Sequence, residues 1–458
     1  MTGRELPSTS ELHENLRRRV LAVEGEQGLV KRYNRNGTKK TVANTRPAGS
    51  GAVLAAAAAK NRNGNAQAAE NGRKGKARKG KGKGKGKNEA AAGAGAGAGG
   101  AVGGKVDTSV PDAVATANTP TTANSLGLDI ESQDLGYLAT IQMGTPPQDY
   151  LILMDSGSAD LWVGAENCAS ENGGGCGNHN FLGPKSSSSF VDTQAPFQVT
   201  YGSGAVQGNI ITDNIVVAGL ALNAHTFGVA STESVQFSDN STPFDGLMGL
   251  AQSTLSEQGV LTPIEAMAKA GLVPAAITSY KISRLADNKN DGEITFGGLD
   301  TTKFNPATLV TLPNVSKQGF WESAMDSVSV DGTDLGLTGR TAILDTGTTL
   351  IIAPPADALA VHQAIAGAAS DGQGGFTVPC TTNASVALTF GGATFAIDTR
   401  DLAFQPVDPT NPTGDCVSGI SAGNIGGAQE WLVGDVFLKN AYFSTDVTKN
   451  TLSLAQLV

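Results

Sequence analysis

Two stretches of this 458-residue chain follow one pattern. Leu151-Ile152-Leu153-Met154-Asp155-Ser156-Gly157-Ser158 and Ala342-Ile343-Leu344-Asp345-Thr346-Gly347-Thr348-Thr349 are apolar runs that end in Asp, a small hydroxyl residue, Gly and another hydroxyl residue. A second half-motif follows each copy, Gly246-Leu247-Met248-Gly249 and Trp431-Leu432-Val433-Gly434. One Asp-Ser-Gly or Asp-Thr-Gly alone reads as a surface turn. Two copies, each closing an apolar strand and each followed by its own apolar-apolar-glycine partner, imply two similar lobes that each deliver one carboxyl group.

The pairing has a chemical use. A carboxyl at the end of a buried strand sits in low dielectric, and a second one close by makes double ionisation costly. One proton is then shared, so one group can act as base while the other is an acid, and the titrations belong to the pair. Such a pair can activate a water between the carboxyls for attack on a carbonyl carbon. The glycine after each hydroxyl residue permits a sharp turn, and Ser156 and Thr346 can each hydrogen-bond the opposite loop.

Charge divides the chain into two parts. Residues 1–124 hold 22 Lys+Arg against 9 Asp+Glu, a balance of +13, while residues 125–458 carry −22, which together recover the overall −9. The basic part includes Arg73-Lys74-Gly75-Lys76, Lys-Gly alternation to Lys87 and Gly-Ala repeats. Residues 61–105 have too little apolar surface to offset chain entropy and are expected to be disordered. Glu11 to Gly28 can form one amphipathic helix. A Lys-Gly run can attract nucleic acid, but no aromatic residues interleave for base stacking, so a solvated, cleavable linker is the better reading and no nucleic-acid partner is expected.

From Ser125 the chain becomes mainly β. Short apolar-alternating segments (Tyr137–Met143, Tyr150–Met154, Phe197–Tyr201, Ile210–Val217, Glu293–Phe296) are separated by glycine and Asx turns. Pro263–Ala270 and Ala356–Ala366 are the best helical stretches. At 334 residues a single sheet core is unlikely to suffice, so we divide the chain into a leader at 1–124, a lobe at 125–310 and a lobe at 311–458. The four cysteines, Cys168, Cys176, Cys380 and Cys416, allow three pairings, and their clustering favours near with near and distant with distant.

At this point the resemblance to the pepsin family of aspartic endopeptidases is close, and it covers residues 130–458. Asp155-Ser156-Gly157-Ser158-Ala159-Asp160-Leu161-Trp162-Val163 resembles the family's first active-site strand. Phe244-Asp245-Gly246-Leu247-Met248-Gly249-Leu250-Ala251 is similar to its mid-lobe signature. Ala342–Leu350 is similar to the second catalytic motif, and Leu432-Val433-Gly434-Asp435-Val436-Phe437 to the C-terminal one. The resemblance implies a mainly-β, two-lobed acid protease fold with the active-site cleft between the lobes. Asp155 and Asp345 would be catalytic, supported by Ser156, Gly157, Ser158, Thr346, Gly347 and Thr348. Tyr201-Gly202-Ser203-Gly204 resembles the mobile flap, with Tyr201 bonded to Trp162, and Leu153, Phe237 and Leu247 match further apolar pocket positions. The loop holding Phe237 is one residue longer here. It also implies the disulfides Cys168–Cys176 and Cys380–Cys416.

Two residues depart from the pattern. Ser156 stands where Thr is commoner, keeping the hydroxyl and losing a methyl. Ser203 stands where some fungal relatives carry Asp, so large apolar residues are expected before the scissile bond. The resemblance further implies protein or peptide substrates, a zymogen whose basic propeptide inhibits the acidic cleft until acid weakens the attraction, a monomer, and no metal or cofactor.

Sequons at Asn36, Asn240, Asn314 and Asn383 fit a secreted glycoprotein, extracellular or vacuolar. The N-terminus disagrees: Met1 to Arg19 is polar, and Val20-Leu21-Ala22-Val23 is too short for a signal segment, so either the signal is missing from the gene model, the favoured reading, or the protein is retained inside the cell. No apolar stretch reaches the roughly 18 residues of a membrane span. Gly419-Ile420-Ser421-Ala422-Gly423 matches a nucleophile elbow, which requires a strand before, a helix after and a suitably placed His, but it sits in a glycine-rich stretch just after Cys416 and is set aside. Asp287–Gly292 reads as a hairpin turn, since Lys289 spoils a calcium loop. The four histidines (His13, His179, His225, His362) have no zinc spacing.

Overall fold

The computed structural model describes residues 114–458. The expected helix at 11–28, the low-complexity tract at 61–105, His13 and the sequon at Asn36 lie outside the described residues. The described chain is mostly strand, arranged in one sheet of nine strands, one of six, one of five and two of four.

Each copy of the repeat occupies the same place in its own sheet. In the first half, Gln148–Asp155 lies between Gly136–Met143, antiparallel, and Gly246–Gly249, parallel. Gly246–Gly249 in turn pairs antiparallel with Leu161–Ser170. In the second half, Arg340–Leu344 lies between Glu322–Met325, antiparallel, and Glu430–Val433, parallel, and the latter pairs antiparallel with Ile351–Ala353. The two half-motifs are thus hydrogen-bonded neighbours of the two Asp-bearing strands. Their closing glycines are required by this closeness: a Cβ on Gly249 would lie 2.3 Å from the Asp160 nitrogen, and one on Gly434 2.1 Å from the Thr348 oxygen.

The six-stranded sheet joins the halves. Its order runs Val310–Pro313, Thr451–Ala455, Tyr442–Asp446, Ile277–Lys281, Glu293–Phe296, Ser125–Gly127. Described structure starts ahead of residue 125: Val114–Ala115 pairs with Asp129–Glu131 and so forms an edge of the nine-stranded sheet. Trp162, Trp321 and Trp431 are all essentially fully buried, and burying a large apolar side chain is worth about 1.5–3 kcal/mol each.

Both expected helices are present, over Pro263–Lys269 and Pro355–Gln363. The first is defined at its start by a capping box, in which Thr262 accepts from the Glu265 nitrogen and the Glu265 carboxylate accepts from the Thr262 nitrogen, with Pro263 in the first turn. Asp287–Gly292 does connect two antiparallel strands, with Asn288 and Asn290 at positive φ. The elbow-like Gly419–Gly423 is a strand, Ile420–Ala422, parallel to Ile351–Ala353, so Ser421 is not on a strand-to-helix turn. The disulfides Cys168–Cys176 and Cys380–Cys416 are both formed.

Candidate active site

Asp155 ends its strand at 4% exposure, and Asp345 follows its strand at 6%. The parallel neighbours carry both to the same place. A Cβ on Gly157 would fall 2.3 Å from the Asp345 Oδ1, and a Cβ on Gly347 would fall 2.3 Å from the Asp155 Oδ1. Each carboxyl therefore lies against the other loop's glycine, and any side chain there would displace it.

The two loops hold one another through reciprocal bonds. Ser156 Oγ donates to the Leu344 carbonyl at 3.0 Å and accepts from the Thr346 nitrogen at 2.9 Å. Thr346 Oγ1 donates to the Met154 carbonyl at 2.8 Å and accepts from the Ser156 nitrogen at 3.0 Å. Each hydroxyl donates one bond and accepts one, and both residues are buried. Within each loop the pattern repeats. Gly157 N donates to Asp155 Oδ1 and Gly347 N to Asp345 Oδ1, both at 2.8 Å. Ser158 Oγ donates to Asp155 Oδ2, and Thr348 Oγ1 to Asp345 Oδ2.

Beside Asp155 the structure gathers the expected flap and pocket residues. Tyr201-Gly202-Ser203-Gly204 closes the hairpin between Val191–Thr200 and Ala205–Val217, with Tyr201 N donating to the Gly204 carbonyl at 2.8 Å. Trp162 Nε1 donates to Tyr201 Oη at 2.6 Å. Phe237 meets Trp162 and Tyr201 edge-on, at centroid distances of 5.3 and 5.5 Å. Leu247 belongs to the same buried cluster, and Leu153 packs against it half-buried.

One acid near the pair escaped attention in the sequence. Asp435, directly after Gly434, is 1% exposed, and neither carboxyl oxygen has a hydrogen-bond partner. Burial pushes it well above the usual carboxylate range against the opposing pull of Lys439, and Asp345, Asp134 and Asp155 push it further up. Its un-ionised form is therefore favoured. Lys439 itself is tied to Asp134 at 3.1 Å and Asp401 at 2.7 Å. Two glutamates shift the same way: burial raises Glu233 to about 8, and burial together with the nearby Glu322 raises Glu430 to about 7. A buried residue after a Gly is no signal by itself, which is why Asp435 was passed over.

Among the described residues, the group of potential metal ligands close enough to act together is Cys168, Cys176 and Glu233, and both sulfurs are committed to a disulfide. No helix among the described residues is long and apolar enough to cross a membrane.

With this geometry in place, the relatives agree. The family described as eukaryotic aspartyl protease matches residues 136–457. A Trichophyton verrucosum protein named "Probable aspartic-type endopeptidase CTSD" is 35% identical over 350 residues, covering 76% of this chain and 66% of its own length. The Aspergillus fumigatus aspartic-type endopeptidase ctsD is 34% identical over 343 residues, covering 75% and 70% respectively. Pepsin A of Canis lupus familiaris is 32% identical over 328 residues, covering 70% and 81%. The chain thus spans just under two thirds of the length of the Trichophyton relative. It belongs to the eukaryotic aspartyl protease family.

Proposed function

We propose that this chain is an endopeptidase that cleaves internal peptide bonds of proteins in acid, with Asp155 and Asp345 as its catalytic pair. The observation that carries the reading is the placing of each carboxyl against the other loop's glycine, with Ser156 and Thr346 locking the loops together. A water between the carboxyls gives a proton to one of them and attacks the peptide carbonyl. The other carboxyl protonates the carbonyl oxygen, and a later proton transfer lets the amine leave. Gly157, Gly347, Ser158 and Thr348 aim the carboxyls through the bonds described above.

Tyr201, Gly202 and Ser203 form a flap that closes over the substrate and excludes water. Trp162, Leu153, Phe237 and Leu247 wall an apolar pocket, so large apolar residues beside the scissile bond are preferred. Working in acid fits the buried neutral acids. Glu233 and Glu430 have folded-state values raised above the ordinary 4.5, so their contribution to stability is complete below 4.5 and lost as the pH rises through about 7 to 8. The basic leader acts as an intramolecular inhibitor of the acidic lobes, and the enzyme works as a monomer outside the cell or in the vacuole, reached through the secretory pathway.

The test is digestion of a peptide library in acid, with mass-spectrometric mapping of the cut sites. The reading predicts internal cuts beside large apolar residues, absent with Asp155→Asn. Cuts confined to chain ends, or to basic residues, would overturn it.

A further inference from the structure

The three described sequons look alike in sequence, but the fold treats them differently. Asn314 is 7% exposed and fully engaged. Its Nδ2, the atom that would carry a sugar, donates to Asn450 Oδ1 at 3.0 Å. Its Oδ1 accepts from the nitrogens of Ser316 at 3.2 Å and Glu322 at 3.0 Å. Its backbone nitrogen donates to the Asn450 carbonyl at 3.0 Å. These bonds tie the end of Val310–Pro313 to the turn before Thr451–Ala455 and to the start of Glu322–Met325, the strand beside the Asp345-bearing one. A glycan on that nitrogen has no exit to solvent without breaking the set, and an N-linked glycan is bulky and needs surface.

Asn240 and Asn383 are both exposed. Asn240 sits on the loop between Val235–Ser238 and Gly246–Gly249, which is secured around it rather than through it. Thr242 Oγ1 donates to the Gln236 carbonyl at 2.8 Å, and Ser241 N donates to Asp239 Oδ1 at 2.8 Å. Phe237 stands in the helical turn Val235–Ser238, just before this loop. Asn383 lies in the other half, just after Cys380. There, Ala384 N donates to Thr382 Oγ1 at 3.3 Å and Ser385 N to Asp331 Oδ1 at 2.8 Å.

We propose that the folded protein carries N-linked glycans at Asn240 and Asn383, one on each half of the molecule, and none at Asn314, whose sequon is a structural asparagine. The assignment rests on the secretory routing proposed above.

The experiment separates site from route by imposing the route. The full chain is secreted from yeast behind a host signal peptide. The folded protein is then treated with a peptide N-glycosidase in heavy-oxygen water, and its peptides are mapped for labelled Asp. The proposal expects label at positions 240 and 383 and none at 314. Asn240→Gln and Asn383→Gln should each remove one glycan step in gel mobility. Ser316→Ala, which destroys the third sequon while keeping Asn314, should remove none. Label at 314 in folded, secreted protein, or lack of label at 240 or 383, overturns the assignment. Both sites labelled in yeast, but neither in protein from the native source, supports the assignment and counts against the route.

Discussion

The two halves of the site are alike in what they present and unlike in what surrounds it. Asp155 and Asp345 sit at the same point of the same four-strand arrangement, each with a glycine nitrogen on Oδ1 and a hydroxyl on Oδ2. The tryptophans differ in their roles. Trp162 donates to Tyr201 in the turn that closes the hairpin, whereas Trp431 donates to Asp357, which Arg340 holds at 2.7 Å. The first links the core to the closing turn of the Val191–Val217 hairpin, and the second is spent beside a buried ion pair. After the closing glycine the first half has Leu250, and the second has Asp435, buried and unpartnered. Symmetry delivers the chemistry, while the departures from it supply the cover on one side and acid-favoured burial on the other.

Short of replacing the carboxyls themselves, the largest effects should come from filling the space between them. Gly157→Ala and Gly347→Ala each put a methyl about where the opposite carboxyl stands, so both should cut kcat by about 10²-fold or more, the scale of lost general acid–base catalysis. Either variant keeping near-normal activity in a steady-state peptide assay would break the symmetric picture of the pair. Ser156→Ala and Thr346→Ala should follow. Each leaves a buried backbone nitrogen and a buried carbonyl unpartnered, at about 1–3 kcal/mol per group, and thermal unfolding should show similar losses for the two. A clear inequality would mean that one loop, not both, bears the grip. The double variant should lose less than the sum, because both hydroxyls serve one network.

A smaller effect concerns pH. Glu233→Gln keeps the size of the side chain and removes its titration. In the wild type this glutamate's contribution is present below 4.5 and lost as the pH climbs to about 8. His225 and His362, both lowered to about 4 by burial, act oppositely, and their contribution is present above 6.5 and lost as the pH falls towards 4. Between 6.5 and 8 the histidines' contribution is constant, so the wild-type melting temperature should fall across that interval, and Glu233→Gln should flatten the fall. Equal slopes in the two proteins would contradict a neutral buried Glu233.

Much of this was legible before any coordinates. The repeat located both acids, their loops and their parallel partner strands, because an apolar run ending in Asp, hydroxyl and glycine carries its constraint locally. Strand and helix boundaries were readable where alternation or capping marks them, as at Pro263–Lys269. The strand holding Phe197 starts earlier, at Val191, since its first residues are exposed at a sheet edge and show no alternation. Val114–Ala115 was missed because two residues carry no period, and its place depends on pairing with Asp129–Glu131. Asp435 and the engaged Asn314 were invisible for a shared reason: burial and partners that come from distant strands leave no mark on the residue's own neighbourhood.

The central claim is that Asp155 and Asp345 are one device and not two contributors. Activity of Asp155→Asn, Asp345→Asn and the double variant against one acid-cleaved peptide, with folding verified by circular dichroism, tests it most directly. The account predicts that each single variant loses about 10⁴-fold in kcat, the upper range for proton-transfer catalysis, and that the double variant is no worse than either. Additive losses, or a single variant that retains substantial acid-dependent cleavage, would contradict it.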